Sequence, residues 1–125
     1  MENPNINKIV FEGEFKGRRV IIREMRQFAG MPTSFSLLQD YYCGYVELLP
    51  SDYYYNHLSE TESRLSVYGG ITWTPAYGKL DALPDGCFIG FDTAHAEQPP
   101  FSQQTVLDDC IELIKQVIKR NEEEN

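Results

Sequence analysis

The residues best suited to chemistry lie in one segment, residues 86–95, where an apolar run with two glycines ends in an aspartate and a histidine. A carboxylate such as Asp92 can orient an imidazole such as His95, which then acts as a base, an acid or a metal ligand near neutral pH. Polar side chains at strand ends often build functional sites. The sequence therefore predicts a site at Asp92 and His95, and the alternative is that both residues only stabilise a turn.

A second glycine-bearing segment, residues 65–73, is expected to lie beside the first segment in a sheet. Its polar side chains would then reach the same region. Its glycines would either let an anionic ligand approach the backbone closely or mark a bulge or tight packing within the strand. The predicted ligand-binding residues are Tyr68, Gly69, Gly70, Thr72, Asp92 and His95.

A hydrolase-type enzyme could be built from the same residues. His95 would act as base and Asp92 would orient it. Tyr68, or the backbone near Gly69, would stabilise the developing negative charge. His95, Asp92 and Tyr68 are therefore the candidate catalytic residues.

Neither a metal nor another cofactor is expected. A metal would need ligands beyond Asp92 and His95, and the sequence has no H-x-x-x-H or C-x-x-C spacing to supply them. Each of the three cysteines, Cys43, Cys87 and Cys110, lies in an apolar segment. That setting favours buried, reduced thiols over catalytic nucleophiles.

The charge of −8 argues against general nucleic-acid binding, because neutralising phosphates requires a surplus of Lys and Arg. One short segment runs against this acidity. If it is a strand, Arg19 and Arg23 share a face with Ile21, and the cluster would either bind a phosphate-bearing ligand or protect an edge strand. The cluster holds five of the eleven basic residues: Lys16, Arg18, Arg19, Arg23 and Arg26.

The pattern of apolar residues and turn signals predicts five strands. Residues 6–15, with Ile9 and Phe11 on one face, and residues 18–25 form a hairpin at Gly17. Residues 41–49 and 65–74 form the next two strands, and the fifth lies in residues 86–95. Between them, residues 28–32 read as a loop, residues 34–40 as a helical turn, and residues 51–63 as a surface excursion with irregular or short helical structure.

A long amphipathic helix is predicted after Ser102, which can cap it, and is expected to end near Arg120. Strands followed by one strong helix indicate an α+β fold: an antiparallel or mixed sheet of about five strands, covered by this helix. The chain of 125 residues fits one domain, with residues 1–5 and 121–125 frayed. No leader pattern and no membrane span are recognised, so we expect a cytoplasmic protein with no membrane contact.

Three ordered motifs resemble a group of small uncharacterised proteins of bacteria, phages and prophages. The group carries Gly-Tyr-Val, His-Gly-Gly-Leu/Ile-Thr and Gly-Phe-Asp-x-Ala-His, and the similarity covers most of residues 18–120. This chain departs from the group at Tyr68, where histidine is usual, and at Glu97, where a Gly-Asp pair is common after His95. The corresponding motifs are Cys43-Gly44-Tyr45-Val46, Val67-Tyr68-Gly69-Gly70-Ile71-Thr72-Trp73 and Ile89-Gly90-Phe91-Asp92-Thr93-Ala94-His95.

The resemblance implies no established activity but favours binding over catalysis, because tyrosine keeps a hydrogen-bonding oxygen where a histidine ligand is lost. The leading hypothesis is a cytoplasmic accessory protein of phage or prophage type, without catalytic turnover. It would bind a small ligand or a protein partner at the strand-end surface. The alternatives are the hydrolase-type enzyme and a homo-oligomeric interaction module that uses its tyrosines at the interface.

Overall fold

The computed structural model describes residues 6–26, 41–78, 80, 83–93 and 102–124. Within these ranges, four strands form an antiparallel sheet in the order β1-β2-β3-β4. The predicted α+β class is confirmed, but the sheet has four strands instead of about five. The elements are β1 (Ile6–Phe15), β2 (Arg18–Arg26), β3 (Tyr41–Leu48), α1 (Thr61–Arg64), β4 (Cys87–Asp92) and α2 (Gln103–Glu123).

The β1–β2 hairpin forms as predicted, because Lys16 and Gly17 have φ angles of 53° and 82°. Positive φ at both central residues is the geometry of a type I′ turn, which matches the twist of the flanking strands. The predicted shared face of Ile9 and Phe11 is wrong. A bulge between them shifts the register. Phe11 therefore packs against the apolar cluster that includes the buried residues of α2, the α2-side cluster, while Ile9 remains 38% exposed.

The strand β2 lies inside the sheet, between β1 and β3. Its β-branched residues alternate between two apolar clusters: Val20 and Ile22 face one, and Ile21 faces the other. The edge-protection explanation for the basic cluster is therefore wrong, because β2 has no free edge.

The long helix α2 covers one face of the sheet. Ser102 caps it by accepting a hydrogen bond from the Thr105 N–H, as predicted. The helix continues through Glu123, so Asn121, predicted as part of a frayed tail, is helical. Gly44 permits close approach, since a Cβ there would lie 2.9 Å from Cys110 Sγ. The buried face of α2 consists of Val106, Cys110, Leu113, Ile114 and Val117.

Residues 51–63 contain short helices, as predicted: two 3₁₀ turns, Tyr53–Asn56 and Leu58–Glu60, lead into α1. The segment is also anchored to the core. Tyr54 is buried in the α2-side cluster, and the buried Asp52 carboxylate accepts hydrogen bonds from Arg18, the Leu49 N–H and Asn121.

The predicted strand at residues 65–74 does not form. Gly69 and Gly70 have φ angles of 79° and 80°, and the Gly70 N–H donates to the Val67 carbonyl at 2.8 Å. This closes a turn that needs positive φ, which an extended strand cannot contain. The expected loop at residues 28–32, the helical turn at 34–40, residues 1–5 and His95 lie outside the described residues. Among the helices described, none is long and apolar enough to span a bilayer.

Candidate functional site

The two glycine-bearing segments meet at the outer edge of β4, through a single antiparallel bridge. Trp73 and Gly90 exchange two backbone hydrogen bonds of 2.9 and 3.1 Å, and the Thr72 N–H also donates to the Gly90 carbonyl at 2.9 Å. Because antiparallel pairing alternates along a strand, the N–H and C=O of Phe88 point toward the same outer edge. This edge of β4 thus directs polar backbone groups away from the sheet.

The predicted site residues have different environments. Tyr68 is 45% exposed on a turn formed with Gly69 and Gly70, and Thr72 is exposed beside its bond to β4. The antiparallel direction at the Trp73 bridge carries this turn toward the end of β4 that bears Asp92. The approach of Tyr68 to Asp92 and His95 stays a prediction, because His95 is not among the described residues.

Asp92 lies on the sheet face opposite α2. Its neighbours Ile89 and Phe91 pack in the α2-side cluster, so the alternating residues point the other way. In the strand register Asp92 lies beside Cys43, which in turn pairs with Arg23. The half-buried Asp92 thus ends a row of polar side chains that crosses three strands.

This polar row is poorly suited to nucleophilic catalysis. Burial, reinforced by the negative charge of Asp92, raises the pKa of Cys43 to about 11. Arg23 is 6% exposed and donates a hydrogen bond of 2.8 Å to the Tyr45 hydroxyl. Burial also raises the pKa of Tyr45 well above its ordinary value. The thiol and the phenol therefore both stay protonated at neutral pH.

The remaining cysteines also differ partly from expectation. Cys110 is buried as predicted, whereas Cys43 and Cys87 are only half-buried, and all three are free thiols. Burial raises the pKa of Cys87 and, more strongly, that of Cys110. The thiolate form is disfavoured at each position, which agrees with the expectation of unreactive thiols.

Tyr45 connects the polar row to the outer edge of β4. Its ring packs edge-on against Trp73, with centroids 6.1 Å apart and planes at 79°. The same ring covers Gly90, where a Cβ would lie 2.6 Å from Tyr45 Cδ1 and Cε1. Gly90 is therefore required by the close approach of this ring.

Two arginines of the basic cluster, Arg18 and Arg19, are paired with carboxylates of the fold. Arg18 forms an ion pair with the buried Asp52. Arg19 donates from Nε and Nη2 to Glu47 at 3.1 and 2.9 Å, and from Nη2 to the Asp85 carbonyl at 2.6 Å. These bonds lower the pKa of Glu47, although its partial burial opposes the shift. A phosphate at Arg19 would have to displace a bidentate carboxylate, which argues against the predicted phosphate site.

A cavity of about 420 Å³ opens beside the outer edge of β4, on the sheet face opposite α2. Trp73 and Phe88 supply aromatic walls, and Leu80 and Leu83 supply aliphatic ones. Asp85 is the charged residue among the described lining residues. The full described lining is Trp73, Pro75, Gly78, Leu80, Leu83, Pro84, Asp85, Gly86 and Phe88.

Within the part of the chain that the structure describes, no group of three His, Cys, Asp or Glu side chains is arranged to hold a metal ion. Comparison with known proteins gives no assignment either: no protein-family model, curated protein or solved structure matches the chain. Function therefore has to be inferred from the geometry of this site.

The cavity was missed by sequence reasoning because its walls come from a bridge, a loop and a strand. In the sequence, residues 83–86 carry only the Asp-Gly signature of a turn, whereas in the structure Leu83 is buried. An apolar residue such as Leu80 or Leu83 inside a Gly- and Pro-rich loop was the available signal that the loop packs onto the sheet. Thr93 was also missed: it ends β4 by bonding both the N–H and the carbonyl of Tyr42.

Proposed function

We propose that this protein is a non-catalytic binding protein that takes a small ligand in the cavity at the outer edge of β4. The cavity is the observation that carries the proposal. Its volume of about 420 Å³ falls within the range of about 300–1,000 Å³ that is usual for small-molecule sites. Such sites combine apolar walls with a few placed polar groups. Trp73 and Phe88 are the walls, and the outward N–H and C=O of Phe88 are the polar groups.

Binding is favoured over catalysis by the chemistry of the nearby side chains. Cys87 precedes Phe88 in β4, but its side chain packs against the α2-side cluster, on the sheet face opposite the cavity, so it supplies no nucleophile to the cavity. Arg19 is held by Glu47 and the Asp85 carbonyl. A group that is already paired in this way positions the loop and is not free to stabilise a developing negative charge.

From the motif resemblance we also propose that the protein is a cytoplasmic accessory protein of phage or prophage type. In this setting the strand-end surface at Tyr68, Asp92 and His95 is the second place where a ligand or protein partner would bind. Recurrence of the gene among phage genes in unrelated genomes would support this assignment, and its confinement to core metabolic neighbourhoods would contradict it.

Ligand binding can be measured with 2-phenylethanol as a neutral aromatic probe. Trp73 is the single tryptophan of the chain, so its fluorescence reports on the cavity wall. We expect saturable quenching, together with shifts of the amide resonances of Gly86 and Phe88 in ¹⁵N–¹H spectra. Failure of the probe to perturb either signal would contradict binding in the cavity.

Matched variants separate the cavity from the strand end. Leu83→Phe adds volume to a lining residue and should abolish binding of the probe, with circular dichroism confirming the fold. Tyr68→Ser and His95→Ala change the strand-end surface and should leave binding unchanged. The opposite pattern would move the ligand from the cavity to the strand end predicted from sequence.

A further inference from the structure

We infer that the cavity at the outer edge of β4 selects small aromatic amines over aromatic acids, which deepens the proposed function and rests on it. The aromatic part of the ligand is set by the walls. Trp73 and Phe88 line the cavity together with Leu83, and rings stack or pack edge-on against such surfaces. The indole of Trp73 is braced from behind by the edge-on contact with Tyr45.

The preferred charge of the ligand is set by Asp85 and Arg19, two charged residues that the structure describes beside the cavity. Asp85 is among the residues that line the cavity and is exposed. Its carboxylate lies close enough to Arg19 to contribute, after Glu47, to the raised pKa of that guanidinium, so a negative charge is present beside the cavity and stays solvated. The guanidinium of Arg19 lies nearby, 5.1 Å from the centroid of the Phe88 ring. Its positive charge is balanced by Glu47, whose two carboxylate oxygens it contacts at 3.1 and 2.9 Å.

An anionic ligand is therefore disfavoured on two grounds. It would face the Asp85 carboxylate, and it would gain the Arg19 guanidinium only by displacing Glu47 from a bidentate pair. An ammonium meets neither obstacle and can also donate to the outward C=O of Phe88. The overall charge of −8 attracts cations to the surface in the same sense.

Three probes of nearly equal shape test the selection: phenethylamine (cation), 2-phenylethanol (neutral) and phenylacetate (anion). Their dissociation constants are measured by Trp73 fluorescence at low ionic strength. We expect phenethylamine to bind about fivefold more tightly than 2-phenylethanol, the upper end of what an exposed ion pair contributes. Phenylacetate should bind more weakly than the alcohol, and added salt should shrink both differences.

Asp85→Asn is the deciding variant, because it removes the charge and keeps the backbone carbonyl that binds Arg19. The variant should bind 2-phenylethanol as the wild type does and lose the preference for phenethylamine. An unchanged preference, or tighter binding of phenylacetate in the wild type, would overturn the inference while leaving the cavity a binding site. Absence of binding by all three probes would overturn both the inference and the proposed function.

Discussion

Gly90→Ala tests whether the ring of Tyr45 controls the outer edge of β4. The added Cβ would lie 2.6 Å from two atoms of this ring. Tyr45 is 4% exposed, packs edge-on against Trp73 and accepts a hydrogen bond from Arg23. Any movement of the ring would therefore break one of these contacts, so we expect the strain to fall on β4 and on the Trp73 bridge.

Overpacking of a buried site of this kind costs about 1–3 kcal/mol. With a urea m-value of about 2 kcal/mol/M, typical for a small domain, we expect the midpoint of urea denaturation to fall by about 1 M at unchanged m. Because the Trp73 bridge loosens, the native fluorescence of Trp73 should shift toward that of solvent-exposed tryptophan. Circular dichroism and fluorescence melts in urea measure both effects.

A double-mutant cycle identifies the cause. Tyr45→Leu removes the ring but keeps an apolar side chain, so Gly90→Ala introduced into that background should cost less than about 0.5 kcal/mol, leaving a coupling energy of at least about 0.5 kcal/mol. Equal costs in the two backgrounds would refute the reasoning, since the penalty would then come from the backbone of β4 and not from Tyr45.

Three further predictions concern the scaffold. Asp52→Asn should cost about 3 kcal/mol at neutral pH, because Arg18 loses a buried partner. Burial opposes the shift, but the hydrogen bonds from Arg18, Leu49 and Asn121 hold the pKa of Asp52 below its ordinary 3.8. The stabilisation from the ionised carboxylate is therefore present above pH 3.8 and is lost as pH falls through the folded pKa. The stabilities of variant and wild type should converge in urea melts at acid pH. With its pKa near 11, Cys43 should react with iodoacetamide at pH 7.5 at least about 100-fold more slowly than free cysteine, as judged by mass spectrometry, and comparable rates would contradict its burial. Gly44→Ala should lower the urea midpoint through contact with Phe91 and Cys110, and an unchanged midpoint would mean that α2 shifts freely.

The strands were predictable where local chemistry and tertiary packing agree. The β-branched run Val20-Ile21-Ile22 forms a strand because both sheet faces are buried at that point. The signal at Gly17 is equally local, since the turn needs positive φ whatever packs around it. The bulge after Ile9 could not be predicted in this way, because it reflects how β1 fits against β2.

Residues 65–74 show how one local signal can be interpreted in two ways. Leu65 and Ile71 are buried apolar residues, as expected of a strand. Gly69 and Gly70 were interpreted as close packing inside that strand, but their positive φ angles close a turn. Only Trp73 then pairs with β4. The neighbour relation was thus predicted correctly although the element was wrong.

The basic cluster could not be interpreted from sequence because the partners of its arginines are distant in the chain. Arg18 pairs with Asp52 and Arg19 with Glu47, contacts that span 34 and 28 residues. A run of basic residues suggests a binding surface when the carboxylates that pair with it in the fold are not known. In this fold Arg18 and Arg19 form ion pairs that connect β2 to β3 and to the turn that follows β3.

The same pairing explains why the candidate site differs in kind from the one expected. Once Glu47 and the Asp85 carbonyl engage Arg19, the guanidinium that lies over the Phe88 ring is neutralised, while Asp85, a lining residue, stays exposed. The hydrogen bond from Arg19 to the Asp85 carbonyl has two effects. It holds the loop that contains Asp85 beside Phe88, and it occupies a donor of Arg19 that could otherwise bind an anion. An aspartate–histidine pair is visible in a sequence because its members are close together. A cavity whose charge depends on an arginine 66 residues from its backbone acceptor is visible only in the fold.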